Sequence, residues 1–98
     1  MEELLKRAES GDIVAIEEVA NSYYRGKNGF PEDNEKALYW YEKALEIDPE
    51  NVVGLNGVGN IYYNGYGVPV DTEKGSAYYL RAANLGYSKS QYNIASHM

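Results

Sequence analysis

Catalysis by side chains needs a nucleophile within reach of a base, or ligands spaced to hold a metal ion, and this sequence supplies neither. It has no cysteine and one histidine, and that residue, His97, stands beside the C-terminus with no second imidazole near it. Two acidic pairs, Glu32 with Asp33 and Asp71 with Glu73, suggest carboxylate pairs at first sight. Each falls at a predicted helix start, where carboxylates accept orphan backbone N–H groups and complement the helix dipole. Gly54-x-x-Gly57-x-Gly59 has the wrong order for a dinucleotide fingerprint and follows no strand. Gly65-Tyr66-Gly67 reads as a turn between helices, not as a phosphate cradle. No catalytic residue, cofactor or metal is therefore expected. What remains is the chemistry of recognition. Tyrosine occupies 11 of 98 positions, and its ring offers broad, fairly rigid contact area with a polar tip. Asn21, Asn56, Asn60 and Asn64 carry amides that donate and accept hydrogen bonds without a charge to desolvate.

These side chains must be held by helices, and the helices come in a repeat. Ala15 to Leu45 aligns with Gly54 to Ala83. Tyr23-Tyr24 lands on Tyr62-Tyr63, Gly26 on Gly65, Gly29 on Gly67, Pro31 on Pro69, Asp33 on Asp71 and Glu35-Lys36 on Glu73-Lys74. One extra residue in the first loop moves the offset from 39 to 38. A period of that length indicates stacked helical units. Residues 1–11 then form an N-terminal half-repeat or capping helix, 12–50 the first repeat, 51–87 the second, and 88–98 a C-terminal half-repeat or capping helix.

Asp12, Asp33 and Asp71 are the predicted N-caps, and Ser88-x-x-Gln91 is a capping box for a last helix with Tyr92, Ile94 and Ala95. Ile13, Ile16, Val19, Ala20 and Tyr23 share one face at helical spacing, as do Leu55, Val58, Ile61 and Tyr62. On the partner helices the expected inward residues are Ala37, Trp40 and Ala44, with Tyr41 second to Trp40, and then Tyr78, Ala82 and Leu85. Gly54, Gly57, Gly59 and Gly75 fall inside predicted helices, each costing about 1 kcal/mol against alanine. They mark either a close approach of helices or a locally weak second repeat.

The second block, Val58-Gly59-x-x-Tyr62-x-x-Gly65-x-Gly67-Val68-x-x-Asp71-x-x-Lys74, then Tyr78 and Arg81-Ala82-Ala83-x-x-Gly86, resembles the Sel-one-like repeat. That family is a branch of the tetratricopeptide repeats with a longer, glycine-containing loop. The first block matches through Tyr23, Gly26, Gly29, Asp33, Lys36-Ala37, Trp40 and Lys43-Ala44. Its ending, Ala44 to Asn51, is similar to that of an ordinary tetratricopeptide repeat, so the chain reads as a hybrid of the two. The resemblance implies an all-α, right-handed α-α superhelix of about 2.5 repeats and six helices. It also implies that the first tyrosine of each pair packs between helices while Tyr24 and Tyr63 turn toward a concave groove. Glu17, Asn21 and Arg25 would then lie beside Asn56, Asn60 and Asn64. Asn21 and Asn60 would hold a peptide backbone, with Glu17 supplying a preference for charge. The superfamily's clamp for acidic C-termini is only partly matched. Asn21 and Lys89 fit it, but Glu17 replaces a lysine, and Gly57 and Asn93 replace its other polar positions.

The net charge is −6, and it is unevenly placed. Residues 1–50 hold 13 acidic and 6 basic side chains, against 2 and 3 in residues 51–98. Phosphate binding needs a basic stripe, so nucleic acid is not an expected partner. No apolar run approaches the roughly 20 residues of a membrane span, and the charged N-terminus is not a secretory signal. A cytoplasmic setting is expected, with a periplasmic or secreted one left open should the sequence belong to a longer chain. The expected function is a non-catalytic protein-interaction module, an adaptor or scaffold that takes a peptide segment or partner protein, basic segments included, in its groove. The alternative is an assembly element that forms homo-oligomers through its exposed repeat ends.

Overall fold

The computed structural model describes residues 2–85. Among them are five α-helices and no strand: α1 (Glu2–Glu9), α2 (Ile13–Arg25), α3 (Asn34–Ile47), α4 (Val52–Asn64) and α5 (Thr72–Asn84). The expected sixth helix lies outside the described residues, and so do Tyr92, Ile94 and Ala95 of the oligomer reading. The helices pack in chain order, each on the next, while α2 and α4 touch lightly. That neighbour-only pattern is the mark of a stacked repeat, and the molecule is correspondingly elongated, 41 × 24 × 18 Å.

The three predicted aspartate caps form, while the Ser88 capping box lies outside the described residues. Asp12 Oδ1 accepts from the Val14 and Ala15 amides at 3.1 and 3.3 Å, Asp33 from Lys36 N at 3.1 Å, and Asp71 from Lys74 N at 3.0 Å. The Ala15 amide foremost, aided by Arg7, holds the Asp12 carboxyl below the usual carboxylate range. Both first helices of the repeats end on a left-handed glycine, Gly26 (φ 66°) and Gly65 (φ 72°). At each stop two successive amides converge on one carbonyl: Gly26 and Lys27 on Ser22, Gly65 and Tyr66 on Ile61. Each loop is closed by the amide of the next N-cap, Asp33 to the Tyr23 carbonyl and Asp71 to that of Tyr62, both at 2.8 Å.

Ala15, Ile16, Val19, Ala20 and Tyr23 of α2 are buried, as are Leu55, Val58 and Ile61 of α4. The partner helices correct the sequence reading. Trp40 and Tyr78, expected inside, are half-buried, whereas Tyr41 and Tyr79 are each only 3% exposed. Leu85, also expected inside, is exposed. The reason lies in the stacking: α3 packs against both α2 and α4, and the residue on the side between them is Tyr41. Phe30, which the repeat pattern did not single out, is also buried, its ring edge-on to Tyr23 at 4.8 Å.

Two helix-interior glycines make these contacts possible. A Cβ on Gly57 would lie 2.6 Å from three atoms of the Tyr41 ring. One on Gly75 would lie 2.7 Å from both the Cβ and the backbone nitrogen of Tyr63. Such gaps fall well short of the roughly 3.5–4.0 Å at which carbon atoms pack. Close helix approach, not local weakness, therefore accounts for both. In the first repeat Ala37 stands where Gly75 stands in the second.

Candidate functional site

The described tyrosines fall into two sets. Tyr23, Tyr39, Tyr62 and Tyr78 each carry a cation over the ring: Lys36, Lys43, Lys74 and Arg81, at 5.5, 5.4, 4.2 and 5.6 Å. Tyr24, Tyr41, Tyr63, Tyr66 and Tyr79 instead pack on one another. Tyr24 lies 6.3 Å from Tyr41 and 6.1 Å from Tyr66, and Tyr63 lies 5.7 Å from Tyr79. Burial, with the neighbouring Tyr24, Tyr63 and Tyr66, pushes the Tyr79 phenol up to about 12. The Tyr24 phenol is raised too, chiefly by burial and then by Tyr66.

Two of this second set, Tyr24 and Tyr41, border a cleft between α2 and α4, lined also by Asn21, Arg25, Asn56 and Asn60, among others. Four of the expected binding residues, Asn21, Tyr24, Asn56 and Asn60, thus share one surface. Asn21 Oδ1 accepts the Tyr41 hydroxyl at 2.5 Å, and Asn60 Oδ1 accepts that of Tyr79. The two bonds are equivalent across the repeats, so each amide is oriented from within the fold and its oxygen is already engaged. Asn56 is buried. Tyr63 is half-buried beside Tyr79, and Asn64 is exposed, its Nδ2 donating to the Asn60 carbonyl at 3.0 Å.

Glu17 is not beside these residues in the lining. Its Oε2 accepts from Asn51 Nδ2 at 2.7 Å, while Asn51 Oδ1 accepts from Gly54 N at 2.7 Å and so caps α4. The carboxylate expected to select a partner's charge therefore ties the two repeats together, fixing the amide that starts the second.

A second cleft, of about 320 Å³, opens where the two loops meet, and it is lined by Tyr24, Glu32, Asn34 and Tyr66. Its wall depends on Gly67 (φ 75°), where a Cβ would come within 3.3 Å of Glu35 and 3.4 Å of Asn34. The glycine lets the second loop settle on the start of α3, and Tyr66 then faces Tyr24. Sequence reasoning placed Tyr66 in the turn and gave it no role. The signal was available, since an aromatic between two loop glycines has nothing of its own loop to pack on.

Among the described residues no group of three or more His, Cys, Asp or Glu is placed to hold a metal ion, and no helix is long and apolar enough to cross a membrane.

Comparison with known proteins agrees with this architecture. A TPR repeat matches residues 32–65, across the junction where the first block ends in the ordinary tetratricopeptide manner. A Sel1 repeat protein from Oxalobacter formigenes superposes with a TM-score of 0.84 and 28% identity, over 97% of this chain and 27% of that one. The chain is 36% identical, over 90% of its length, to the ERAD-associated E3 ubiquitin-protein ligase component HRD3B of Arabidopsis thaliana. It is 26% identical, over 95% of its length, to human eukaryotic elongation factor 2 kinase. It spans only 13% and 15% of those two proteins. Sel1 repeats match residues 13–48 and 52–87, and with both helix pairs and both loops in place the chain belongs to the Sel1 repeat family.

Proposed function

We propose that this chain is a non-catalytic protein-interaction module that takes an extended peptide segment along the cleft between α2 and α4. Sel1 and TPR repeats are protein-interaction units, and one similar protein is by name a component of a ubiquitin ligase. The observation that carries the reading is the paired amide arrangement. Tyr41 and Tyr79 occupy the oxygens of Asn21 and Asn60, which leaves the amide N–H groups as the cleft's donors. Two oriented donors on successive repeats suit the carbonyl oxygens of an extended chain, and fixing them beforehand lowers the ordering cost of binding. Tyr24 and Tyr63 supply apolar contact, and Asn56 and Asn64 extend the polar lining.

The test is selection from a displayed peptide library on the intact chain, followed by affinity measurement. Asn21→Ala combined with Tyr24→Ala should weaken the selected peptides at least about tenfold, the loss of one or two good contacts. The helical circular dichroism should stay intact. Glu42→Ala, on the exposed side of α3, should leave binding unchanged. Equal binding by the cleft variant and the native chain would discard the cleft as the binding surface.

A further inference from the structure

The loop cleft has a composition that the peptide cleft lacks. Tyr24 and Tyr66 form two of its sides, and Glu32 and Asn34 complete the lining. The Glu32 carboxylate makes no hydrogen bond or ion pair among the described residues. The phenol of Tyr24 is raised chiefly by burial, then by Tyr66, and least by Glu32, with Arg25 acting the other way. Arg25 is the cation that Tyr24 feels, and it lines the adjoining peptide cleft rather than this one. Elsewhere in the fold four tyrosine faces are met by a lysine or arginine of the chain itself. The faces of Tyr24 and Tyr66 are met by none among the described residues.

We infer that the cleft formed by Tyr24, Tyr66, Glu32 and Asn34 receives a lysine or arginine side chain of the bound segment. The aliphatic stem lies along the open side of the Tyr24–Tyr66 pair, whose rings are 6.1 Å apart and tilted, the cationic head meets the Glu32 carboxylate, and Asn34 offers its amide oxygen to an N–H. Aromatic faces attract cations electrostatically, the more so where water is partly excluded, and a carboxylate beside them completes the charge match. At about 320 Å³ the cleft stands at the small end of the roughly 300–1,000 Å³ typical of ligand pockets, a size for one side chain. Tyr24 lines both clefts, so the two adjoin, and a segment bound in the first has this site beside it. The inference deepens the peptide reading, and it relocates the charge preference from Glu17, which is committed to Asn51, to Glu32.

The test uses two small probes on the intact, isotopically labelled chain: Nα-acetyl-lysine methylamide and its uncharged counterpart, Nα-acetyl-norleucine methylamide. In amide NMR titrations the lysine probe should shift the signals of Glu32, Asn34 and Tyr66 with a millimolar dissociation constant, and the norleucine probe should bind markedly more weakly. Glu32→Gln and, separately, Tyr66→Leu should each weaken the lysine probe about three- to fivefold. Rising salt should weaken it as well. Equal shifts by the two probes, or an unchanged lysine titration in Glu32→Gln, would overturn the cation site. If the library peptides require Asn21 and Tyr24 yet show no preference for lysine or arginine and ignore Glu32→Gln, the cation site is wrong and the peptide cleft stands. If the lysine probe behaves as expected while no peptide depends on Asn21 and Tyr24, the cation site stands and the peptide reading falls.

Discussion

Gly57→Ala sets two physical effects against each other, and the structure decides which wins. Helix propensity alone favours the change, since alanine in a helix interior is about 1 kcal/mol better than glycine. The new methyl, however, would meet three atoms of the Tyr41 ring at 2.6 Å, about 1 Å inside the usual carbon contact distance. That ring is 3% exposed and tethered through its hydroxyl to Asn21, so it has nowhere to retreat without breaking the bond. Overpacking a dense core costs about 1–3 kcal/mol, and the disturbed hydrogen bond adds about 0.5–1.5 kcal/mol. Subtracting the propensity gain leaves a net loss of about 0.5–3.5 kcal/mol, read as a lower urea midpoint in circular dichroism at unchanged slope. The partner experiment places Gly57→Ala in a Tyr41→Leu background. With the ring gone, the methyl should cost nothing or gain up to about 1 kcal/mol. A more stable Gly57→Ala protein, or a loss of the same size in both backgrounds, would refute the argument that Tyr41 is what the glycine accommodates.

Two further outcomes follow from the polar contacts. Glu17→Ala removes the acceptor that orients Asn51, so it should cost about 1 kcal/mol, the order of a disturbed N-cap. Amide exchange at residues 52–55 should quicken while α2 keeps its protection. Burial pushes the Tyr79 phenol up to about 12 from the 10.0 of the free group. A raised pKa on an acid means that the fold favours the neutral form. Its contribution is thus fully present below pH 10 and is lost as pH rises from about 10 through 12. Absorbance titration at alkaline pH should show a late-ionising component that Tyr79→Phe removes, together with a fall in thermal stability that Tyr79→Phe lessens.

Much of the fold was legible because it rests on local chemistry that recurs. The aspartate caps, the left-handed glycines and the period itself each have one physical use, and all appear where the sequence puts them. The choice between Trp40 and Tyr41 was not legible. Both sit on the apolar side of α3, and what decides between them is a missing methyl 16 residues further on, at Gly57. The amides posed a different difficulty. Asn21 and Asn60 recur at one position, which fits a binding role and an internal hydrogen bond equally well. Tyr41 and Tyr79 recur alongside them at nearly the same separation, 20 and 19 residues, and that joint recurrence was the available sign of an intramolecular pair. The structural bond of Glu17 was hidden for the converse reason. Its partner, Asn51, is 34 residues away, and no spacing rule reaches across a repeat junction.

Tyr41 also has a mechanical role. Its hydroxyl is fastened to α2 and its ring is seated on α4, so this one side chain gauges the distance between successive units. A larger residue at position 57 would push the next helix pair outward and flatten the curve, and a smaller ring at position 41 would let it tighten. In a longer array built on the same tyrosine-on-glycine seat, the pitch of the whole superhelix, and with it the width of ligand it can wrap, would be written at two positions per repeat.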